Sequence, residues 1–313
     1  ALSKILPNVK LFKIMSYLAK IGKPFQFFLP SKIKNMMDLI PSSFPKKTLK
    51  TKEIYKTKYK KRVARVALLT GCVQKELSPQ INESTIRILN RHGVEVVVPE
   101  KIRCCGSLNH HLGKNDDAHQ DFINNINIWY DQYLKGNLDA ILSNTSGCGT
   151  TMKDYGFIFK DDKKMKKKAK KISELTKDVS EYLSESLNLK FKSKEKKLRI
   201  AYHSACSMQH GQKIHSQPIN LLEKTKNEIL EIPEGHICCG SAGTYNILQS
   251  KIAKQLLKNK VKNIESLKPQ IISTGNIGCI TQIANGTNIP ILHTVEILDW
   301  YTGGPKPKIL KGI

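Results

Sequence analysis

Cys104-Cys105-Gly106 occurs a second time in this chain, as Cys238-Cys239-Gly240. Each copy follows a single cysteine, Cys72 or Cys206, and 31 residues separate that cysteine from the pair in both cases. Each copy also precedes one further cysteine, in the dipeptides Gly147-Cys148 and Gly278-Cys279. This duplicated pattern accounts for all eight cysteines of the 313-residue chain, so the sequence predicts two related halves.

The residues around the cysteines predict strands that alternate with helices. Short apolar runs that stop at a cysteine or a proline are typical of buried strands, and the longer segments between them have helical spacing. The predicted strands lie in "RVALLTGC", "VEVVVPE" and "LDAILSNTSGC" of the first half and in "LRIAYHSAC", "EILEIPE" and "PQIISTGNIGC" of the second. The predicted helices cover 79–92, 116–134, 216–227 and 248–266, with a lysine-rich helical stretch at 162–188. The predicted fold class is therefore α/β, with two pseudo-symmetric Rossmann-like lobes built on parallel sheets.

The repeat also sets the predicted domain boundaries. The first cysteine-rich repeat is assigned to 63–190 and the second to 197–304, and residues 1–62 form a short helical segment before them. In that segment an apolar helix face is formed by Leu11-Phe12, Met15, Leu18-Ala19 and Ile21. We expect this face to pack on the following domain, with contact to a membrane surface as the alternative.

The composition excludes several classes of protein. Hydrophobic residues make up 40% of the chain, which is enough for buried cores, and no run of about 18 apolar residues would span a membrane. Eight cysteines are too few for a disulfide scaffold in a chain of this length, which favours a reducing, cytoplasmic compartment and metal binding. The net charge of +26 fits solvated lysines, an anionic membrane surface or an acidic partner subunit. No binding motif accompanies the charge, so a nucleic-acid partner is not expected.

The four cysteines of each half are predicted to converge. Four of the eight come at the ends of predicted strands, where ligands bind in parallel sheets, and each Cys-Cys-Gly turn follows a second strand. Four thiolates suit a [4Fe–4S] cluster or a tetrahedral zinc ion. Adjacent cysteines diverge and reach different iron atoms, which favours the cluster, while zinc and unligated buried cysteines remain as alternatives. The predicted metal ligands are Cys72, Cys104, Cys105, Cys148, Cys206, Cys238, Cys239 and Cys279.

Glycines and histidines near the cysteines are weaker candidates. Gly106 and Gly240 are predicted cofactor-binding residues, because glycine lets the backbone approach a metal and lets its N–H face sulfide. Histidines near the cysteine loops are candidate ligands, proton carriers or quinone contacts, although each alone is more often structural: His110, His111, His203, His210 and His293. The sequence contains no recognisable nucleophile–base motif or phosphate-binding loop, so no catalytic residue is predicted in this chain.

Longer stretches of the sequence resemble a known family. "YHSACSMQHGQKI", "EGHICCGSAGTYNILQ", "STGNIGCITQIANGT" and "HTVEILDWYTGGP" of the second half are similar to the glycolate oxidase iron–sulfur subunits. "RCCGSLNHHLG", "NTSGCGTTMKDYG" and "KISELTKDVSEYL" resemble the first half of the same proteins. The duplicated cysteine-rich CCG domain also occurs in the heterodisulfide reductase B subunit and in lactate-utilisation iron–sulfur proteins. The resemblance extends from residue 1 to about residue 306.

The resemblance implies an electron-transfer subunit that binds iron–sulfur clusters. Partner subunits containing FAD would take a hydride from glycolate to give glyoxylate, and this chain would pass single electrons toward a membrane quinone. It implies a cytoplasmic protein, peripheral on the inner face of the cytoplasmic membrane. Related roles are a subunit for lactate or another 2-hydroxy acid and a disulfide-reductase-type catalyst. A zinc-stabilised assembly scaffold is the alternative without a redox role.

Two features depart from the pattern of the family. Its members normally begin with a ferredoxin-like segment that holds two [4Fe–4S] clusters, and this chain is expected to start just after it. The heterodisulfide reductase subunit ends each motif with C-x-x-C. The corresponding positions here carry no fifth cysteine: Thr145 and Thr151 flank Cys148, and Asn276 and Gln282 flank Cys279. Four thiols in each half therefore predict an ordinary [4Fe–4S] cluster per half, or one cluster beside one degenerate site.

Overall fold

Two parallel sheets, one from each half of the sequence, form the framework of the computed structural model. It describes residues 2–40, 44–45, 47–136, 138–192 and 197–312. Before the first repeat lie α1 (Leu2–Ile5), α2 (Val9–Gly22), a 3-10 turn (Lys23–Phe28), α3 (Ser31–Asp38) and strand β1 (Ile54–Tyr55). The expected helical segment thus ends in a short strand, and β1 pairs antiparallel with the edge of the first sheet.

The first half of the sequence forms what we call the first lobe. Its elements are β2 (Ala64–Leu69), α4 (Gln74–Leu77), α5 (Pro79–Arg91), β3 (Val94–Val97), α6 (Ser107–His111), α7 (Asn115–Gly136), β4 (Ala140–Ser143), α8 (Ser146–Lys153), α9 (Tyr155–Ile158), α10 (Lys166–Leu175), β5 (Thr176–Asp178) and α11 (Val179–Ser186). The strand order is β1-β3-β2-β4-β5, and all pairs except β1–β3 are parallel.

The second half repeats this plan as the second lobe. Its elements are β6 (Arg199–His203), a π-helical turn (Ser207–Gly211), α12 (Gln217–Glu223), β7 (Glu228–Glu231), α13 (Tyr245–Leu248), α14 (Ser250–Ser266), β8 (Ile271–Thr274), α15 (Ile277–Ala284), β9 (Ile291–His293), α16 (Thr294–Tyr301) and a 3-10 turn (Lys308–Leu310). The parallel sheet has the order β7-β6-β8-β9, which is the order of β3-β2-β4-β5 in the first lobe. The α/β fold with two pseudo-symmetric lobes is therefore confirmed.

The lysine-rich stretch at 162–188 differs from its prediction. It is interrupted by β5, whose residues Thr176–Asp178 pair with β4. A strand of three residues with polar side chains has no apolar run that would reveal it in the sequence. Its counterpart β9 occupies the same edge of the second sheet.

Each sheet is covered on both faces, which explains its apolar strands. Successive residues of a strand point to opposite faces. Val66 and Leu68 of β2 face a core that contains residues of both lobes, which we call the shared core, whereas Ala67 and Leu69 face a core of the first lobe alone. In the second lobe, too, successive strand residues alternate between the shared core and a core of that lobe alone. This second core contains Cys239 and Cys279. The cysteines therefore lie on the faces of the sheets that turn away from the shared core.

The shared core joins the lobes through two equivalent helix pairs. Helix α5 packs on α16, and α11 packs on α12. Near this interface the chain exchanges hydrogen bonds over long sequence distances, and Lys192 N–H donates to the Tyr301 carbonyl (2.9 Å). The lobes thus form one packed unit, with α5 and α12 in equivalent positions.

The N-terminal helix α2 packs less than its sequence predicted. Of its apolar face only Phe12 is buried, while Met15, Leu18 and Ile21 are 40%, 56% and 71% exposed. The expectation that this face packs on the following domain is therefore wrong for most of its length. In the described part of the chain, no helix combines the length and the apolar character needed to cross a membrane.

The last strands of the two lobes end in equivalent capping boxes. Asp178 caps α11 together with Glu181, and His293 caps α16 together with Glu296. His293 accepts at Nδ1 from the Val295 N–H (3.1 Å) and donates from Nε2 to the Asn144 carbonyl of the first lobe (2.9 Å). Burial lowers the pKa of His293 to about 4 from 6.5, because a charged ring would be desolvated there.

The low pKa of His293 predicts that acid destabilises the interface between the lobes. Since its pKa is lower in the folded state, the unfolded state binds the proton first as the pH falls below 6.5, and stability is lost with acidification. Between pH 7.5 and pH 5 we expect the free energy of unfolding to fall by roughly 2 kcal/mol less in His293→Asn than in the wild-type protein. Urea unfolding of both proteins at the two pH values measures the difference. An equal loss in both proteins would contradict this role of His293.

Candidate metal centres

Four thiols of the first lobe meet beyond the ends of its strands. Cys72 lies in the loop after β2, Cys104 and Cys105 lie between β3 and α6, and Cys148 lies in the first turn of α8. The sulfur atoms of Cys72 and Cys104 are 3.5 Å apart, and all four residues are free cysteines. The thiols of Cys105 and Cys148 also lie within hydrogen-bonding reach of each other. We call these four residues the first centre.

The second lobe brings together the four corresponding thiols. Cys206 caps the π-helical turn after β6, Cys238 and Cys239 lie between β7 and α13, and Cys279 lies in the first turn of α15. The thiols of Cys206 and Cys238 lie within hydrogen-bonding reach of each other, as do those of Cys239 and Cys279, which is the pairing of the first centre. We call these four residues the second centre.

Three cysteines occupy different elements from those predicted. Cys206 was expected at the end of a strand, but β6 ends at His203 and Cys206 begins the π-helical turn. Cys148 and Cys279 were also expected at the ends of strands, but β4 ends at Ser143 and β8 ends at Thr274. Helices begin between strand and cysteine, and the Asn276 side chain caps the second of them by accepting from the Gly278 N–H (2.8 Å). Both thiols therefore lie at helix N-termini, where the helix dipole favours negative charge.

In each adjacent pair of cysteines, the surroundings of the first cysteine favour its deprotonated thiolate form. Hydrogen bonds from two neighbouring thiols lower the pKa of Cys104 and of Cys238, and the backbone N–H groups of Gly106 and Gly240 act in the same direction. The Gly240 N–H lies 3.3 Å from the Cys238 sulfur. Because the thiolate is the form that binds metal, each centre contains one thiol whose surroundings favour the metal-binding form.

Gly106 and Gly240 have a structural requirement besides the predicted contact with a cofactor. Both have positive φ, +77° and +91°. A Cβ on Gly106 would lie 2.2 Å from Cε1 of Phe122, and a Cβ on Gly240 would lie 2.5 Å from the Ala253 carbonyl oxygen. The side-chain position of each glycine therefore faces α7 or α14, while its N–H faces sulfur.

Buried polar residues of α7 and α9 hold the backbone of the first centre. Asn125 donates from Nδ2 to the Cys104 carbonyl (2.8 Å) and accepts at Oδ1 from the Arg103 N–H (2.8 Å). The Tyr155 hydroxyl donates to the Cys105 carbonyl (2.9 Å). The sequence analysis missed both residues, since a single Asn or Tyr in a helix carries no pattern.

The equivalent helix of the second lobe carries a lysine instead. Lys260 lies two turns beyond Ala253, as Asn125 lies two turns beyond Ala118 in the first lobe. Its Nζ donates to the Glu234 carbonyl (3.0 Å), and only 2% of the residue is exposed. Burial lowers the pKa of Lys260, and the nearby thiols of the second centre oppose that shift. The two centres therefore differ in their surroundings.

The histidines near the cysteine loops have separate positions. His203 lies at the end of β6, and one of its ring nitrogens and the sulfurs of Cys239 and Cys279 lie within 4.8 Å of one another. The ring of His110 packs against Phe122, and His210 is exposed. Of the five candidate histidines, His203 alone joins such a cluster in the described part of the chain.

The two centres are neighbours across the lobe boundary. Ser146, two residues before Cys148, hydrogen-bonds through its hydroxyl to the hydroxyl of Ser207, which follows Cys206 (2.7 Å). Thr150 of α8 donates to the Ser207 carbonyl (3.1 Å). Direct hydrogen bonds therefore connect the chain segments that carry one cysteine of each centre.

A surface cavity opens beside the first centre. It has a volume of about 360 Å³, and Cys72 and Cys104 are part of its wall. Basic and acidic side chains around it include Lys4, Lys75, Arg103 and Asp121. Burial, and to a smaller extent the charge of Cys104, raise the pKa of Asp121 to about 6. The first centre is thus accessible from the surface through a mainly cationic opening.

Comparison with known proteins begins with the family model of the cysteine-rich domain CCG, which matches residues 66–153 and 200–284. The chain is 33% identical to the glycolate oxidase iron–sulfur subunit of Escherichia coli over 298 residues, covering 95% of this chain and 70% of that protein. It is 27% identical to the probable glycolate oxidase iron–sulfur subunit of Bacillus subtilis, covering 82% of this chain and 58% of that protein.

Two further comparisons concern a shorter relative and a solved structure. Lactate utilization protein A of Bacillus subtilis is 25% identical, and the match covers 75% of this chain and 99% of that protein. A crystal structure of a hypothetical protein from Helicobacter pylori superposes with a TM-score of 0.54 at 11% identity, covering 96% of this chain and 59% of that one, which shows a shared fold. The chain therefore belongs to the family that the cysteine-rich CCG domain defines and that includes the glycolate oxidase iron–sulfur subunit.

Proposed function

We propose that this chain is the iron–sulfur electron-transfer subunit of a glycolate oxidase or dehydrogenase. The observation that carries the proposal is the meeting of four free thiols in each lobe, with the same pairing in both. The relatives with the highest identity given above are named iron–sulfur subunits of glycolate oxidase. The chain covers 70% and 58% of their lengths, so the activity of the whole complex is part of the proposal.

The donor set fits an iron–sulfur cluster in each lobe. Thiolates are soft ligands, which Fe–S clusters and zinc prefer over magnesium or calcium. The adjacent cysteines each have a further thiol neighbour, Cys72 for Cys104 and Cys148 for Cys105, so the four thiols of the first centre form one cluster. All eight cysteines would be ligands, and [4Fe–4S] is the expected cluster type. A bound cluster supplies one-electron transfer, while this chain holds it and sets its potential by hydrogen bonding and burial.

The contact between the lobes supports electron transfer within the chain. The hydrogen bond between Ser146 and Ser207 fixes the segments of Cys148 and Cys206 against each other. The cavity at Cys72 and Cys104 gives the first centre a surface where a redox partner can approach. Electrons would therefore enter or leave at the first centre and pass across the lobe boundary.

The proposed partners are flavoprotein subunits and a membrane quinone. FAD in the partner subunits would oxidise glycolate to glyoxylate, and this chain would carry no catalytic residue for that step. The exposed apolar face of α2 and the net charge of +26 support peripheral contact with the anionic inner face of the cytoplasmic membrane. Similarity to lactate utilization protein A makes lactate the second candidate substrate of the complex.

Paired substitutions of the adjacent cysteines test the proposal. We expect the double variants C104A/C105A and C238A/C239A each to lose about half of the iron of the anaerobically isolated protein, roughly four atoms, since each removes two ligands of one cluster. Iron analysis and electron paramagnetic resonance (EPR) of the reduced proteins measure this loss. Circular dichroism serves as the control for folding. A folded, iron-free wild-type protein with stoichiometric zinc would contradict the proposal.

The complex with its flavoprotein subunits tests the substrate. Glycolate is expected to reduce the clusters of the wild-type complex anaerobically, as followed by their visible absorption. Reduction by lactate but not by glycolate would replace the proposed substrate and leave the cluster assignment in place.

A further inference from the structure

Lys260 of α14 is a buried charged residue that the proposed function does not yet use. Only 2% of it is exposed, and its Nζ donates to the carbonyl of Glu234, in the loop that leads to Cys238 (3.0 Å). Within the described part of the chain, no carboxylate forms an ion pair with it. Lysine is almost never fully buried unless a negative group balances its charge. The lysine therefore indicates a negative group in its surroundings other than a paired carboxylate.

Thiols of the second centre supply negative charge to these surroundings. Burial lowers the pKa of Lys260, and three thiols oppose that change more strongly than the Glu234 carboxylate does. They belong to Cys206, Cys238 and Cys239. An electrostatic interaction acts equally on both partners, so an ammonium group that thiolates stabilise also stabilises negative charge at those thiolates. One-electron reduction adds a negative charge to a cluster, and a charged lysine beside it therefore favours the reduced state.

The first lobe has a neutral amide at the equivalent position. Asn125 comes seven residues after Ala118 in α7, and Lys260 comes seven residues after Ala253 in α14. Each of these alanines places its carbonyl oxygen against the glycine of the Cys-Cys-Gly turn of its lobe. Asn125 is completely buried and donates to the Cys104 carbonyl (2.8 Å). Both lobes therefore have a buried hydrogen-bond donor at this position, and only that of the second lobe carries a charge.

Other electrostatic features of the two centres are either shared or open to solvent. Each centre has a cysteine in the first turn of a helix, and in each a glycine N–H favours the thiolate form of one cysteine. Charged side chains near the first centre line the surface cavity and include both signs: Lys75, Arg103 and Asp121. Water screens such charges far more than it screens a charge in the interior. Lys260 is therefore a buried charge without an equivalent in the first lobe.

We propose that the buried ammonium group of Lys260 raises the reduction potential of the cluster in the second centre. This inference deepens the proposed function and rests on it, because it requires a cluster there. One electron leaves the cluster of the first centre and enters that of the second, while Lys260 keeps its proton and no bond changes. The charge makes this step more favourable than a neutral residue would. Lys260 is thus a positioning residue that draws electrons from the first lobe into the second.

Two variants separate the charge of Lys260 from its hydrogen bond. Lys260→Gln removes the charge and keeps a donor for the Glu234 carbonyl, whereas Lys260→Met removes both. Anaerobic redox titration of the full chain, followed by EPR and visible absorption, measures the reduction potentials of its clusters. We expect both variants to lower one potential and leave the other unchanged. The equilibrium constant for reduction should fall at least about tenfold, which is about 59 mV for one electron.

Two further variants assign the shift. In C104A/C105A, which keeps the second centre, the remaining potential should fall when Lys260→Gln is added. Lys262→Met removes an exposed charge of the same helix and should leave both potentials unchanged, because water screens that charge. An equal shift in Lys262→Met would overturn the inference, since the net charge of the chain would then explain it.

The remaining outcomes distinguish the inference from the proposed function. Potentials that are unchanged in both Lys260 variants overturn the inference and leave the proposed function standing. A potential lowered by Lys260→Met and not by Lys260→Gln also overturns it, because the hydrogen bond would then be the cause. Loss of half of the iron in both variants would assign Lys260 a structural role at the loop instead. Wild-type protein without iron would overturn both the inference and the proposed function.

Discussion

Replacing Gly240 with alanine is expected to lower the free energy of unfolding by about 3 kcal/mol. The new Cβ would lie 2.5 Å from the Ala253 carbonyl oxygen, which is backbone of α14 and cannot rotate away. Overpacking of this kind costs about 1–3 kcal/mol, and a side chain at the φ of +91° adds about 1 kcal/mol or more. Urea unfolding measures the effect, and movement of the adjacent cysteines should also reduce iron binding at the second centre.

Gly243 provides the matched control for this prediction. It lies three residues away in the same loop and also has positive φ, +60°, but a Cβ there would meet nothing within 4 Å. Gly243→Ala should therefore cost only the backbone strain, about 1 kcal/mol. Equal losses for the two variants would mean that contact with α14 does not determine the need for glycine at residue 240.

The pattern of cysteines predicted the fold because the same series of strands accompanies each copy of the pattern. β2 and β6 are buried on both faces, so they read as apolar runs of the kind in "RVALL" and "RIAY". Each run stops just before a cysteine, which placed the thiols at one end of each sheet. The lobes, their parallel sheets and the convergence of four cysteines per half followed from these local features alone.

Other features of the site depend on contacts that the local sequence does not record. The strand β5 was missed because Thr176–Asp178 takes its conformation from pairing with β4 rather than from its own side chains. Asn125 and Tyr155 reach the cysteine backbone only after α7 and α9 have packed. His203 could be named as a candidate beside four other histidines, but its proximity to Cys279 appears only when β6 and β8 are paired.

The contact between the lobes is the clearest case of a feature hidden from sequence. Asp299 of α16 is almost completely buried and forms ion pairs with Arg87 and Arg91 of α5, which are more than 200 positions away. In the sequence each of these residues reads as an ordinary charged residue on a helix. Under the proposed function the pairing would also matter for electron transfer, whose rate depends on the distance between the two centres that this interface fixes.

Asp299→Ala is accordingly expected to cost about 3 kcal/mol of unfolding free energy. The carboxylate lies 2.7 Å from Arg87 and 2.9 Å from Arg91 with 1% of its side chain exposed, and its removal leaves two arginines that are 24% exposed without their partner. Breaking a buried pair costs about 3–5 kcal/mol, and the partial exposure of the arginines places this one near the lower end. Urea unfolding measures the loss.

The surface pair between Arg199 and Glu228 supplies the comparison for this loss. Both side chains are more than 40% exposed and 3.4 Å apart, so Glu228→Gln should change stability by less than about 1 kcal/mol. If burial is the cause of the difference, Asp299→Ala combined with Arg91→Met should recover part of the stability, because Arg87 keeps an ion pair with Glu83 (3.8 Å) and the charge of Arg91 is gone. A double variant as unstable as Asp299→Ala would show instead that the side chains of Asp299 and Arg91 hold the lobes together by shape, and not by balancing a buried charge.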